Sequence, residues 1–170
     1  MITDAQWAQA CLVVRRAVRS SLCCSIASTN PDGSPHVTPI GSVMLGDPGT
    51  AIYFEAFNKR LAANVDRDPN IAILAVDSRQ RLWLPALMRG RFSATPGLRL
   101  LGRVAPVRAG TSDEIERFRR VVGPLLRTRG GAALWGSLDT VRDVEIDRIQ
   151  PLDLGPMTHS WRATQPRARR

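Results

Sequence analysis

The chain has 170 residues, 44% hydrophobic and 23% charged, with a formal net charge of +9. That length gives one domain with a full core, too short for two comfortable ones, and the composition is that of an ordinary globular protein. No apolar run approaches the ~20 residues a membrane span needs, and the opening MITDAQWAQACLVVRR makes a poor signal peptide, so a cytoplasmic protein with no membrane partner is expected.

A helix over residues 3–19 is predicted first. Thr3 and Gln6 have capping-box spacing, and Trp7, Ala10, Cys11, Val14 and Val18 recur at helical intervals. SLCCSIAST then reads as a strand, Asn30–Gly33 as a turn, and SPHVTPIGSVML as a single second strand. Another turn, Gly46–Gly49, leads into the apolar strand TAIYFEAF, so the three strands form an antiparallel meander. KRLAANVDRDP is a short helix that ends before Pro69, and NIAILAVD is a buried strand. Residues 78–95 read as a loop leading into a strand near Met88–Thr95. GLRLLGRVAPVRA is a strand with a bulge or bend at Gly102. A second capping box, Thr111 with Glu114, opens a helix that Pro124 kinks or divides; a short helix near GGAALWGSL and a last strand, VRDVEIDRIQPLDL, follow.

Six or so mostly sequential strands with helices around them predict a mainly β fold, a small closed barrel over residues 21–152 flanked by helices. Residues 1–160 form the single domain in this reading, and 161–170 a basic tail. The arginines are spread along the chain and do not interleave with aromatics, so an anionic small molecule is a better expectation than nucleic acid. Cys11, Cys23 and Cys24 lack CxxC spacing, and His36 and His159 are the only histidines; neither a metal site nor a disulfide framework is expected.

No GxSxG, HExxH, GxGxxG or Walker loop occurs, so any demanding chemistry belongs to a cofactor. Two places stand out. In HVTPIGSVML, Pro39 cannot donate to a ladder, so its pairing is interrupted or lies at an edge; Thr38 and Ser42 share a face that is either solvated or turned to a ligand. In NKRLAAN, Lys59 (the chain's only lysine) and Arg60 are either a solvated helix start or an anion clamp.

The order SIASTNPDGSPHVTPI followed by AIYFEAFNKRLAANVDRDPNIAILAVD resembles the pyridoxamine 5′-phosphate oxidase-like FMN-binding proteins, and the likeness runs more weakly through GRFSAT and LRLLGRVAPV to about Pro151. The resemblance implies a six-stranded antiparallel split β-barrel, a homodimer with flavin sites at its interface, and an oxidoreductase that acts by flavin hydride transfer on an unidentified small molecule. FMN is the implied cofactor; F420 is the alternative, as is a flavin-binding or sensing module without catalysis. Carried over by position, Val37, Thr38, Pro39 and Ile40 lie along the isoalloxazine, and Tyr53, Phe54 and Glu55 form the cofactor end of the third strand. Lys59 and Arg60 take the phosphate, Asn64 matches a position that is often Asn or Gln, and Trp161 and Arg162 close the partner's site. Two positions depart from the pattern: Leu61 stands where a phosphate lysine is usual, and Glu55 where a hydroxyl residue is usual. Lys59 replaces the lysine only if the backbone differs locally.

Overall fold

The computed structural model describes residues 2–136 and 138–158. Helix α1 (Asp4–Ser21) begins at the predicted capping box, with Thr3 and Gln6 bonding reciprocally, and buries Trp7, Ala10, Val13, Val14 and Ala17. Strands β1 (Cys24–Thr29) and β2 (Pro35–Ile40) pair antiparallel across the Asn30–Gly33 turn, where Gly33 adopts φ +82°. The two-residue β3 (Met44–Leu45), β4 (Thr50–Phe54), α2 (Lys59–Arg67) and β5 (Asn70–Val76) follow. The second half comprises α3 (Gln80–Arg89), β6 (Gly97–Ala109), α4 (Ser112–Leu126), α5 (Arg129–Trp135), β7 (Thr140–Pro151) and a 3₁₀ turn, Gly155–Thr158. No helix among the described residues is long and apolar enough to cross a membrane.

The predicted six-stranded closed barrel is not what forms. Seven strands make one antiparallel sheet in the order β2-β1-β5-β6-β7-β4-β3, and no ladder joins β2 to β3 among the described residues, so the sheet keeps two edges. The extra strand comes from the break of the predicted second strand at Gly41–Val43. Here Ser42 turns its side chain into the backbone of β4: Phe54 N donates to Ser42 Oγ at 3.0 Å, and that hydroxyl faces Phe54 O at 3.3 Å. The chain thereby crosses from one edge of the sheet to the other. Seven strands laid flat would hold those edges about 28 Å apart, whereas the chain from Ile40 to Met44 reaches only about 14 Å. The sheet is therefore strongly curled but left open. Pro39 lies on the edge strand β2, where its missing N–H costs no ladder bond.

Curling divides the interior in two. The larger core lies between α1, α2 and the sheet and includes Ile26, Tyr53, Leu61, Ile73 and Leu100. The smaller one, under α4, holds Phe54, Phe118, Val122 and Val141, with the Phe54 and Phe118 rings 5.1 Å apart. At Gly102 the register between β6 and β7 shifts, as the predicted bulge requires; a Cβ there would lie 2.1 Å from Glu145 O.

The strand expected near Met88–Thr95 is instead the end of α3 and the loop after it. Pro85 within the helix hides the helical pattern, and Gly90, at φ +66°, terminates it. Pro124 likewise lies inside α4 without dividing it; the break comes later, where Thr128 caps α5 through Gly131 N.

Arg108 on β6 fastens α4 to the sheet, donating to Glu114 at 2.7 and 2.9 Å and to Asp143 on β7 at 2.6 Å through each of two nitrogens. The guanidinium holds the Glu114 carboxyl down at about 2 from an ordinary 4.5. A carboxylate depressed in the folded state stabilises above its unfolded value and loses that contribution as pH falls from 4.5 towards 2. Glu114→Gln, which preserves the capping geometry, is expected to cost about 2 kcal/mol at pH 7 and nothing near pH 2. Urea denaturation across that range checks this; an unchanged slope of stability with pH would refute it.

Candidate functional site

The start of α2 collects donors. Asn58 makes no side-chain cap, and the amides of Arg60 and Leu61 have no backbone acceptor among the described residues. Lys59 and Arg60 are exposed and enter no ion pair among the described residues. The acid that feels Arg60, Asp32, is already engaged by Ser34 through its amide at 2.9 Å and its hydroxyl at 2.6 Å. From β2, Thr38 Oγ1 reaches Asn58 Oδ1 at 3.4 Å, which brings the edge strand against this helix start. Two side-chain cations, a hydroxyl and two unpaired amides at the positive end of a helix dipole suit a compact, multiply charged anion.

Glu55, shortly before this cluster, and Asp66, further along α2, are neutralised from within. Arg142 on β7 lies opposite Tyr53 in register, and its side chain is only 3% exposed. It forms a salt bridge with Glu55 through Nε, reaches the other Glu55 oxygen at 3.3 Å, and holds Asp66 at 2.7 Å. Glu55, which by position would oppose a phosphate, is thus committed to a buried guanidinium. Burial works against the charged form of Arg142, but the bonds to Glu55 and Asp66 outweigh it and raise its pKa. Sequence reasoning missed Arg142 because it reads as an ordinary polar position in the alternating last strand. Its pairing with Tyr53 is a matter of β4–β7 register, which the sequence does not display.

The other predicted residues divide by environment. Val37 and Pro39 are exposed on one face of β2, whereas Thr38 and Ile40 point to the opposite, more buried face. One flat ring cannot touch all four side chains; what they share is the edge backbone, where Pro39 offers a carbonyl and no donor. Tyr53 and Phe54 are 1% and 2% exposed and pack into the larger and smaller cores respectively. The Tyr53 hydroxyl is buried without a hydrogen-bond partner, and burial pushes its pKa up.

Asn64 is 1% exposed and donates to Ser28 Oγ at 3.0 Å and Asn30 Oδ1 at 3.1 Å, while Ser28 meets His36 Nδ1 at 3.2 Å. It ties α2 to β1 and β2, leaving its own carbonyl oxygen unpaired. Leu61 is a core residue at 1% exposure. Arg79 is bound to Asp77. Trp161 and Arg162 lie outside the described residues.

The donor set at the start of α2 fits a phosphate-bearing flavin, and the edge of β2 offers the ring a backbone acceptor and an apolar side chain. Two clefts lie elsewhere: one of about 1080 Å³ beside β3, β4 and β7, the other between α1 and α4.

Residues 13–130 match the family model described as pyridoxamine 5′-phosphate oxidase. No curated protein sequence matches the chain. Among solved structures, HupZ from Group A Streptococcus is similar with a TM-score of 0.56 and 19% identity, over 91% of this chain and 97% of that one. An FMN-binding protein from Syntrophomonas wolfei gives a TM-score of 0.57 at 12% identity, over 86% and 88% of the two chains. A protein described as an F420 reductase gives 0.54 at 14%, over 82% and 94%. At these identities the likenesses establish the fold.

Proposed function

The chain belongs to the pyridoxamine 5′-phosphate oxidase family, and from that premise we propose that it binds FMN and acts as an oxidoreductase on a small molecule. One observation carries the reading: the side chains of Lys59 and Arg60 and the amides of Arg60 and Leu61 form a donor cluster without ion-pair or backbone partners among the described residues, while Glu55 is held by Arg142 and Asp32 is engaged by Ser34. When bound, the flavin supplies the centre that accepts and returns a hydride. Lys59 and Arg60 hold the phosphate, and Thr38 positions Asn58 beside it. Val37 and Pro39 would flank the ring at the edge of β2, where the Pro39 carbonyl would offer it an acceptor. Tyr53, Phe54 and Asn64 support these contacts from behind.

A single chain leaves the outer face of the β2 edge open to water, with Val37 62% exposed. The reading therefore includes a second copy that covers the ring, with Trp161 and Arg162 of each chain contributing to closure. F420, which also carries a phosphate, remains the alternative ligand for the same cluster, in keeping with the F420 reductase of similar fold. The test is titration with FMN, F420 and riboflavin. FMN or F420 is expected to bind at least about 100-fold more tightly than riboflavin, which lacks the phosphate. Equal affinities for all three would refute the assignment.

A further inference from the structure

The seam between the two cores opens to the surface between α1 and α4 as a groove of about 430 Å³, within the range of small-molecule sites. Val14, Val18, Val43 and Leu45 line its floor, and Phe118 and Val121 its α4 wall. Its rim is cationic: Arg15 and Arg19, one turn apart on α1, face Arg117 and Arg120 on α4. No carboxylate lines it. Arg15 and Arg19 have no ion-pair partner among the described residues. Among the described residues Arg120 pairs only with Glu116, at 4.0 Å with both side chains 70% exposed, a pair of negligible strength. Arg117 donates to Leu45 O at 3.3 Å, which aims its guanidinium across the mouth of the groove.

Four like charges around an apolar slot repel one another, and two α1 arginines without partners are what a negatively charged occupant would complement. The exposed Val121, at 54%, offers such an occupant apolar contact beyond the floor. We propose that this groove is a binding site for a small organic anion with an apolar body, the class of a medium-chain carboxylate, seated tail-inward with its head between the two pairs of arginines. It shares no residue with the start of α2 and does not depend on the flavin reading. The concave, apolar floor favours a tail over an extended polyanion, whose backbone would find nothing to contact there.

Calorimetric titration with decanoate below its micelle concentration tests this, with decyltrimethylammonium as the probe of equal tail and opposite charge. Wild-type protein is expected to take one decanoate per chain and to show no saturable binding of the cation. Arg15→Gln/Arg19→Gln should weaken decanoate at least about tenfold, a change of exposed side chains that leaves the core untouched. Val121→Asp, which sets a carboxylate on the wall, should weaken it comparably, while thermal melts report whether either variant is folded. No decanoate binding to wild type, equal binding of both probes, or wild-type affinity in the folded arginine variant would overturn the proposal.

Discussion

Arg142→Met is expected to lower folding stability by about 3–5 kcal/mol. The guanidinium is 3% exposed and answers Glu55, itself only 19% exposed. Its removal leaves a largely buried carboxylate without a counter-charge, beside the unpartnered hydroxyl of Tyr53. Asp66 adds little because it is 62% exposed and remains solvated. The cost therefore lies with Glu55, and Glu55→Gln in the same chain should recover most of it. Urea denaturation of the two single variants and the double variant gives the coupling directly. A loss under about 1 kcal/mol in Arg142→Met, or no recovery in the double variant, would contradict this role.

The second large effect is on ligand affinity. Lys59→Ala/Arg60→Ala is expected to raise the Kd for FMN about 100-fold, equivalent to about 2.7 kcal/mol. Both side chains are exposed and make no ion pairs among the described residues, so folding stability should change by less than about 0.5 kcal/mol. Arg60→Ala alone should carry the larger share, because a guanidinium can fork onto two phosphate oxygens whereas an ammonium acts as a point charge. Isothermal titration of each variant, with melting curves alongside, separates binding from folding. A Kd within threefold of wild type in the double variant would mean that the phosphate lies elsewhere.

Features encoded over a few neighbouring residues were readable from the chain alone. Both capping boxes, the Asn30–Gly33 turn and the irregularity at Gly102 formed where local residue chemistry required. Features that depend on distant partners were not. The second strand broke because Ser42 bonds to Phe54, a contact across the sheet that no period-two pattern reveals. That same break turned an expected closed barrel into an open, curled sheet with β2 and β3 at its edges. Pro85 disguised α3 as a loop, because a proline in mid-helix is normally evidence against one.

The candidate site shows the same division. The adjacency of Lys59 and Arg60 at a helix start is written in the sequence, and the structure leaves both uncommitted. Tyr53 and Phe54 were expected at the cofactor end of β4 by position in the resemblance; both are buried, and they pack into two separate cores. Glu55 looked like an obstacle to phosphate until Arg142, 87 positions away in sequence, was found to hold it.

The central claim, that the start of α2 holds the phosphate of a flavin, is tested most directly by crossing the ligand with the mutation. FMN and riboflavin are titrated into wild type and into Lys59→Ala/Arg60→Ala. FMN should lose about 100-fold in the variant while riboflavin changes less than threefold, so that the preference for the phosphate disappears with the two cations. Equal losses for both ligands, or an undiminished preference for FMN in the variant, would contradict it.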